Sequence, residues 1–368
     1  MATALSRTYR PKSLADLLGH ETNVMLLQNA AKADRLGQAY IFYGPRGTGK
    51  TTTARLIAKL LNCTKRAADV KFRATGEPCN ECVPCLEVDG GNSLNVIEID
   101  GASNRGIDEI RNLKESIQTA PVGGGRKVYI IDEAHMLTGA AWNALLKTLE
   151  EPPKHATFIL ATTEYEKIPA TIASRAQRFL FKKIPKVLIM EKLTDVAQKE
   201  KIAIEPDALE LIAAAGEGSF RDAESLLEQV RSFDGKITLA EAERLIGRAG
   251  FQKVERLAEL IVHNKGKEAL VAVAELNEEG QNLVQFTKDL VHYIRKALTL
   301  KLNPGLEKIF ELDLTKDEIA RLGKLAAAGE QQRMLALLRA LIRAYGEMRY
   351  SPFAMVPLEI AIIENVSG

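Results

Sequence analysis

A glycine-rich segment near the N-terminus has the residue types that hold phosphate groups in proteins. The segment GPRGTGKT, residues 44–51, matches the phosphate-binding loop pattern G-x-x-x-x-G-K-[ST] and lies between a predicted strand and a predicted helix. In such a loop the glycines let backbone N–H groups turn toward the phosphates. Lys50 is expected to reach the β- and γ-phosphates, and Thr51 is expected to bind Mg²⁺. The sequence therefore predicts an ATP site whose loop consists of Gly44, Pro45, Arg46, Gly47, Thr48, Gly49, Lys50 and Thr51.

Two neighbouring acidic residues end an apolar run farther along the chain. In VYIIDEAH, residues 128–135, Asp132 is expected to hold Mg²⁺, directly or through water, and Glu133 is expected to polarise the attacking water. Alone, this pair fits a solvated strand end equally well, but the phosphate-binding loop favours the catalytic interpretation.

The run FILATTE ends in Thr162 and Thr163, where a hydroxyl is placed to sense the γ-phosphate, although threonines at a strand end are more often structural.

All four cysteines of the chain lie in one segment. Cys63 is followed by CNECVPC, which contains Cys79, Cys82 and Cys85. Two overlapping C-x-x-C units and one upstream thiol supply four soft ligands, the number that a tetrahedral structural Zn²⁺ site uses. Four thiolates leave no open position for water, so the predicted zinc is structural. Disulfides are not expected in a reducing compartment, so the alternative to a zinc site is four free or buried thiols.

Alternating strand and helix patterns must position these residues. The runs AYIFYG, NVIEID, RKVYIIDEA and ATFILATT are apolar and branched, which predicts buried parallel strands. Between them lie GKTTTARLIAKLLN, GIDEIRNLKESIQT and GAAWNALLKTLEE, whose apolar residues have helical spacing. Strands and helices that alternate in this way indicate a doubly wound α/β sheet. The strand signals stop after RFLFKKIP.

The remainder of the chain has helical patterns throughout. Short amphipathic segments such as PDALELIAAAGEG and FRDAESLLEQV are followed by longer stripes such as QRMLALLRALIRAYGEM. The sequence therefore predicts an α/β P-loop domain over residues 1–181, with the zinc-binding insertion at residues 63–85. Two helical domains are expected to follow, over residues 182–247 and 248–368.

The composition indicates a folded globular protein. The chain has 368 residues, of which 46% are hydrophobic and 27% are charged, and this length predicts two or three domains. Its formal net charge of +2 argues against a protein that binds polyanions over its whole surface, but local patches still permit contact with nucleic acid. No apolar run is long enough to span a bilayer, and the N-terminus lacks the apolar centre of a signal peptide. A cytoplasmic location is therefore expected.

These motifs together resemble the bacterial DNA polymerase III gamma/tau subunits, which belong to the AAA+ class of ATPases. The matching segments run in order from about Arg7 to Gly247. They are TYRPKSLADLLG, GPRGTGKTTTARLIAKLLNC, CNECVPC, IEIDGASNRGIDEIR, VYIIDEAHMLT, NALLKTLEEPP, FILATTE, IPATIASRAQRF and GSFRDAESLLEQ. The resemblance implies that residues 182–247 form a helical lid and that residues 248–368 form a collar through which subunits oligomerise. Relatives often continue into a C-terminal extension, and Gly368 lies near the expected end of the collar.

The resemblance also implies roles for five residues outside the loop and the acidic pair. Arg10 and Pro11 correspond to the segment that walls the adenine pocket. Thr163 matches the sensor threonine, and Arg221 matches the second sensor, on the lid. Arg175 matches the arginine that acts on ATP in the neighbouring subunit, where such a residue raises the rate by stabilising charge during phosphoryl transfer.

The sequence departs from the family pattern in two places. Ala176 replaces the usual cysteine after the trans-acting arginine, and function is expected to survive because the arginine remains. The stretch between Cys63 and Cys79 is longer than the family's, which affects the expected loop shape but not the ligand set.

In SNRGIDEI, Asn104 and Arg105 resemble the part of clamp loaders that faces DNA, where a helix start favours phosphate.

The resemblance implies a motor that binds and hydrolyses ATP to load a sliding clamp onto primer–template DNA. It would act with other clamp-loader subunits in the DNA polymerase III holoenzyme, in which another subunit carries out polymerisation. A DEAH-type helicase is one alternative, but helicases need a second motor domain with its own sheet, and the chain after Pro185 is helical in pattern. A non-hydrolysing AAA+ subunit is the other alternative, and the intact Lys50, Thr51, Asp132 and Glu133 argue against it.

Overall fold

The computed structural model describes residues 4–104, 107–233, 235–247, 249–310, 314 and 316–366. The chain divides into two compact units. The first unit runs from Ser6 to Ile184, and the second contains the residues from Pro185 onward together with Ala4 and Leu5. The regions predicted as lid and collar thus fall in one unit, and the boundary between them stays a prediction.

The first unit is built on a five-stranded parallel sheet with the strand order β2-β3-β4-β1-β5. Successive side chains of a strand point to opposite faces, and both faces of the three central strands are buried. Tyr40 and Phe42 therefore pack into one apolar cluster, whereas Ile41 packs into another. The strands are β1 Ala39–Tyr43, β2 Val96–Asp100, β3 Lys127–Asp132, β4 Ala156–Thr162 and β5 Gln177–Leu180.

Helices connect these strands. Counted over the described residues, nine helices precede the last strand: α1 Leu5–Thr8, α2 Glu21–Lys32, α3 Lys50–Asn62, α4 Thr64–Ala68, α5 Val70–Arg73, α6 Val83–Gly90, α7 Ile107–Gln118, α8 Gly139–Glu150 and α9 Ala170–Ala173. Short 3₁₀ turns lie at Ala134–Met136 and Tyr165–Lys167. The four predicted strands and the three predicted helices between them are confirmed. A fifth strand, β5, overlaps the start of RFLFKKIP, the segment after which the strand signals stop.

The sheet order brings the candidate site residues to one edge. β1 pairs with β4 so that Tyr43 lies opposite Thr162, and the N–H of Gly44 donates to the carbonyl of Thr162 at 3.2 Å. β3 lies on the other side of β4, so Asp132 ends its strand beside the same position. In open parallel sheets ligands bind at the carboxyl ends of the strands, and the structure places the P-loop and the acidic pair there.

The second unit is helical over its described residues, apart from an isolated bridge between Ile204 and Ile237. One apolar cluster is formed by helices between Ala249 and Ile362. The helices are α10 Lys186–Lys199, α11 Pro206–Ala215, α12 Phe220–Val230, α13 Leu239–Ile246, α14 Phe251–Val262, α15 Gly266–Glu278, α16 Leu283–Leu302, α17 Glu307–Phe310, α18 Lys316–Ala328, α19 Gln331–Met348 and α20 Met355–Asn365. Among the helices of the described residues, none is long and apolar enough to cross a bilayer.

Candidate functional site

The P-loop connects β1 to α3 in a conformation that only glycine adopts readily. Gly44, Gly47 and Gly49 have positive φ angles of 140°, 71° and 101°. A Cβ atom on Gly44 would also lie 1.9 Å from the carbonyl oxygen of Phe181. The loop is therefore held close to the chain that follows β5, and its backbone can turn toward a bound anion.

The ammonium group of Lys50 lies within this loop. It donates to the carbonyl oxygens of Gly44 and Pro45 at 2.8 and 2.7 Å. Burial lowers the pKa of Lys50, while the nearby carboxylates of Asp132 and Glu133 act in the opposite direction. The positive charge thus lies where the first turn of α3 and the loop N–H groups already favour phosphate.

The side chains of Thr51 and Asp132 meet although 81 positions separate them in the sequence. The hydroxyl of Thr51 donates to Asp132 Oδ2 at 2.7 Å, and the other carboxylate oxygen accepts the N–H of Glu133 at 2.9 Å. Hydroxyl and carboxylate oxygens are hard ligands of the kind that Mg²⁺ prefers. These residues therefore fit a magnesium site beside the P-loop.

Glu133 links the end of β3 to the end of β4. Its backbone is left-handed, with φ 47° and ψ 43°, an uncommon conformation for a residue with a side chain and one that is found at functional sites. Its carboxylate oxygen Oε2 accepts a hydrogen bond from the hydroxyl of Thr163 at 3.3 Å. The predicted sensor threonine and the predicted catalytic carboxylate are thus in contact.

His135 is a site residue to which the sequence analysis gave no role beyond its place in DEAH. Its Nδ1 lies 3.0 Å from the hydroxyl oxygen of Thr162 and 3.5 Å from Glu133 Oε2, and its Nε2 lies 3.2 Å from Glu164 Oε1. Only 7% of the side chain is exposed. The sequence signal that could have found it is its position two residues after the predicted catalytic glutamate, Glu133.

A turn before α2 also supports the P-loop. His20 Nε2 lies 2.8 Å from the carbonyl oxygen of Thr48, and the imidazole packs edge-on against Phe181 with ring centroids 4.7 Å apart. Burial lowers the pKa of His20, so its ring is neutral near pH 7 and donates from Nε2 to the loop. Arg10 and Pro11, the predicted adenine wall, lie half-buried upstream of this turn.

The predicted arginines lie outside this cluster of contacts. Arg175 follows α9 and is exposed, and its guanidinium pairs with Glu150 at 3.0 Å and donates to the carbonyl of Thr171 at 2.6 Å. Ala176, the residue after it, is partly buried. Arg221 is exposed in the first turn of α12, in the second unit.

The segment predicted to face DNA follows β2. The backbone N–H and the side-chain amide of Asn104 both donate to the carbonyl oxygen of Asp100, at 2.9 and 3.0 Å. Arg105 lies outside the described residues.

The four cysteines form a compact group. Their sulfur atoms all lie within 4.8 Å of one another, and the pairs Cys79–Cys85 and Cys63–Cys82 are 4.0 Å apart. A tetrahedral zinc site with Zn–S bonds of about 2.3 Å places sulfurs about 3.8 Å apart, so the group fits a metal of this kind once its most widely separated sulfurs move together by up to about 1 Å. The predicted ligands are therefore brought together.

Local structure favours the thiolate form of Cys82, whereas burial raises the pKa of the Cys63 and Cys85 thiols. The N–H groups of Glu81 and Cys82 donate to Cys79 Sγ at 3.5 and 3.3 Å. Burial opposes ionisation of Cys82, but hydrogen bonds from Thr64 and from the backbone of Cys85 lower the pKa of its thiol to about 6. Burial raises the pKa of the Cys85 thiol, which a metal would overcome, because a coordinated thiol loses its proton.

The lengthened stretch between Cys63 and Cys79 is ordered in two short helices, α4 and α5. The buried guanidinium of Arg66, in α4, donates to the carbonyl oxygens of Leu60 at 3.1 Å and Ala31 at 3.0 Å. The stretch is thus tied to the ends of α3 and α2, and its length does not displace the cysteines.

Three sequence families match consecutive parts of the chain. Residues 19–185 match the family described as DNA polymerase III, delta subunit. Residues 188–233 match the DNA polymerase III clamp loader subunit, ATPase lid domain, and residues 237–367 match DNA polymerase III subunits gamma and tau domain III. With the parallel sheet, these matches confirm the predicted AAA+ fold class with a helical lid and a helical C-terminal region.

Curated relatives match nearly the whole chain. DNA polymerase III subunit tau of Bacillus subtilis (strain 168) is 41% identical over 362 residues, which cover 98% of this chain and 62% of that protein. The tau subunit of Escherichia coli (strain K12) is 34% identical, with coverage of 99% and 55%. The chain spans less than two thirds of the length of these tau subunits. DNA polymerase III subunit gamma of Buchnera aphidicola subsp. Acyrthosiphon pisum (strain APS) is 31% identical, with coverage of 99% and 98%.

A solved structure shows a weaker similarity. The Bacillus subtilis DNA clamp loader delta protein (YqeN) is 15% identical and has a TM-score of 0.42, with 93% of this chain and 99% of that chain covered. A similarity at this level says nothing about function. The sequence matches decide the assignment, and they show that this chain belongs to the family of DNA polymerase III gamma and tau subunits.

Proposed function

We propose that this chain is an ATP-hydrolysing motor subunit of a replicative clamp loader. One observation carries the proposal: in a member of the gamma/tau family, the P-loop, the Thr51–Asp132 pair and the Glu133–Thr163 pair lie at one edge of the sheet. A subunit that only binds nucleotide has no need of a carboxylate held in this position. The chain therefore carries the parts required for hydrolysis as well as for binding.

Each part of the site has a role in this proposal. The P-loop N–H groups and Lys50 bind the phosphates, and Thr51 and Asp132 hold Mg²⁺. When bound, Mg²⁺ supplies positive charge to the transferring phosphoryl group. Glu133 orients and polarises the attacking water, and Thr163 holds the Glu133 carboxylate and senses the γ-phosphate.

Residues outside the cluster complete the site in the assembled complex. Arg10 and Pro11 wall the adenine, and Arg221 contacts ATP from the lid. Arg175 reaches the ATP of the neighbouring subunit, which suits an exposed guanidinium paired with a surface carboxylate. The partners are other clamp-loader subunits, a sliding clamp and primer–template DNA, and Asn104 and Arg105 are proposed to face the DNA.

The cysteine group holds a structural Zn²⁺ in this proposal. Four thiolates at the observed separations complete a tetrahedral shell and leave no position for substrate.

The domain boundaries follow the sequence prediction: an ATPase domain over residues 1–181 with the insertion at residues 63–85, a lid over residues 182–247 and a collar over residues 248–368. The cytoplasmic location stays a prediction.

The two alternatives have less support. A DEAH-type helicase needs a second sheet-based motor domain, and the described residues of the second unit are helical apart from one isolated bridge. A non-hydrolysing AAA+ subunit would not require the contact between Glu133 and Thr163.

Steady-state ATP hydrolysis tests the proposal. The chain is mixed with its other loader subunits, with and without sliding clamp and primed DNA. We expect strong stimulation only when both are present, no nucleotide binding by Lys50→Ala, and binding without turnover by Glu133→Gln. Turnover that ignores the clamp but follows DNA or RNA strands would support the helicase, and wild-type binding without any turnover would support the non-hydrolysing subunit.

A further inference from the structure

A glutamate of the cysteine segment binds the N-terminal turn of the first unit. Glu77 lies two residues before Cys79, and its carboxylate oxygens accept the N–H groups of Leu14 at 2.7 Å and Ala15 at 3.0 Å. The same carboxylate accepts the side-chain amide of Gln28, in α2, at 2.7 Å. Hydrogen bonds from N–H groups to an ionised acceptor are stronger than neutral ones, so this contact fixes the turn.

The turn that Glu77 holds also contacts the P-loop. Leu14 and Leu17 are buried in one core cluster, and a Cβ atom on Gly49 would lie 3.9 Å from a methyl carbon of Leu17. Three residues after Leu17, His20 donates to the carbonyl of Thr48. The segment Leu14–His20 therefore lies between the cysteine segment and the phosphate-binding loop, and contacts both.

The cysteine segment is itself pressed against α2. Gly76 has a φ of 77°, and a Cβ atom there would lie 3.0 Å from the carbonyl oxygen of Gln28. Pro78, between Glu77 and the ligand Cys79, restricts the backbone between them. The position of the Glu77 carboxylate thus depends on where Cys79 is held.

We propose that the cysteine segment positions the phosphate-binding loop, so that a metal bound by the four thiolates strengthens nucleotide binding through Glu77 and the Leu14–His20 turn. Glu77 is a positioning residue in this arrangement, since it touches neither metal nor nucleotide. The inference rests on the proposed ATP and zinc sites. It gives the cysteine insertion a role in the nucleotide site next to it.

The coupling must work in both directions. If the bound metal raises the affinity for nucleotide by some factor, the nucleotide raises the affinity for metal by the same factor. Coupling between two binding sites commonly amounts to factors of about 5 to 150, and two charge-assisted hydrogen bonds transmitted through one short turn suggest about tenfold.

The test measures binding by the purified chain rather than turnover. The affinity for a fluorescent ATP analogue, the zinc content and the thermal unfolding midpoint are measured for wild type, Glu77→Ala, Glu77→Gln and Glu81→Ala. Glu81 lies in the same segment, is exposed, and pairs only loosely with Lys65 at 3.8 Å, so it is the matched control. We expect Glu77→Ala to keep its zinc and to bind the analogue about tenfold more weakly.

Glu77→Gln is expected to be intermediate, since its amide oxygen still accepts a backbone N–H but without the charge. It also keeps the test decisive if Glu77→Ala does not fold. Glu81→Ala is expected to bind as wild type does. A Glu77→Ala chain that keeps its zinc and binds the analogue with wild-type affinity overturns the inference.

Reciprocity supplies an independent readout. Zinc is withdrawn from the wild-type chain by a chromogenic chelator, with and without saturating ATP analogue. We expect the analogue to raise the affinity for zinc about tenfold in wild type and to leave it unchanged in Glu77→Ala. If the wild-type chain releases zinc equally with and without analogue, the inference is overturned. A wild-type chain that binds no analogue overturns the proposed function instead, and one that binds no zinc overturns the proposed zinc site.

Discussion

At the residue scale, the carboxylate of Glu133 lies within a set of hydrogen bonds that crosses from β3 to β4. The hydrogen bond from Lys167 lowers the pKa of Glu164, so its carboxylate remains ionised. An ionised carboxylate can only accept hydrogen bonds, and Oε1 of Glu164 lies 3.2 Å from His135 Nε2. The hydroxyl of Thr162 accepts the N–H of Glu164 at 3.0 Å and also lies 3.0 Å from His135 Nδ1. His135 is thus held between Thr162 and Glu164, next to the proposed catalytic carboxylate of Glu133.

We expect His135→Ala to lower kcat for ATP hydrolysis about tenfold with little change in KM, because the groups that bind the phosphates are untouched while Glu133 loses a neighbour that restricts it. His135→Gln should recover part of the loss, since an amide can donate to Glu164 and accept from Thr162. His263→Ala, at an exposed histidine bonded to its own helix, is the control. Equal kcat for His135→Ala and wild type would contradict this role.

The exposed guanidinium of Arg175 gives a second prediction at this scale. Arg175→Ala should leave ATP binding by the isolated chain unchanged and lower turnover in the assembled complex by about a thousandfold, because a trans-acting arginine stabilises charge only during phosphoryl transfer. Nucleotide binding and steady-state hydrolysis are measured side by side. Arg231→Ala removes another surface arginine that pairs with a glutamate, Glu200 at 3.4 Å, and should turn over as wild type does. Unchanged turnover in Arg175→Ala would show that the residue is an ordinary surface arginine.

At the scale of the elements, the P-loop depends on the close approach of Gly44 to the chain after β5. Its φ is 140°, and a Cβ atom at this position would lie only 1.9 Å from the Phe181 carbonyl oxygen, which leaves no room for a side chain. The strand order makes this contact, because β5 lies directly beside β1. The loop's geometry is therefore set jointly by its own glycines and by the neighbouring strand.

We expect Gly44→Ala to lower the affinity for ATP by at least about tenfold and to destabilise the chain by about 1–3 kcal/mol, because the added methyl must displace backbone at a strained position. Gly139→Ala is the matched control: no atom lies within 4 Å of its Cβ position, and alanine suits the first turn of α8. Binding of a fluorescent ATP analogue and chemical denaturation are the measurements. A Gly44→Ala chain that binds and unfolds like Gly139→Ala would refute the steric argument.

At the scale of the whole molecule, buried charges tie together helices of the second unit that are far apart in sequence. Lys186, the first residue of α10, bonds to Glu210 of α11 at 2.9 Å and to Glu318 of α18 at 2.7 Å. Burial raises the pKa of Glu210, and Lys186 opposes that rise. Since α10 and α18 fall in the proposed lid and the proposed collar, this cluster joins the two within one compact unit.

Removing the shared cation should therefore cost the second unit much of its stability. We expect Lys186→Met to lower the free energy of unfolding by about 3 kcal/mol, because it removes a cation that bonds to one buried and one partly buried carboxylate. Lys199→Met, at the other end of α10, breaks an exposed pair with Asp195 and should cost no more than about 0.5 kcal/mol. Chemical denaturation compares the two. Equal midpoints would mean that the buried cluster does not hold these helices together.

Much of the local structure was predictable from the sequence. The phosphate-binding loop at residues 44–51 was recognisable, because its glycine spacing and the helix start that follows it are local signals. The strands up to Thr162 and the helices between them follow from apolar periodicity, and the C-x-x-C spacing predicted a cysteine group that the structure confirms. Family membership followed from the same motifs, since their order and combination are specific.

The tertiary structure alone decided the contacts that join distant segments. His135 meets Glu164, and Glu77 binds Leu14 from 63 positions away, and neither pair has a local sequence signal. The same holds for β5, a short strand whose mostly exposed residues show no apolar alternation. The physical reason is that periodicity and turn chemistry record only what near neighbours require, whereas strand order and helix packing determine which side chains of remote segments come within hydrogen-bonding distance.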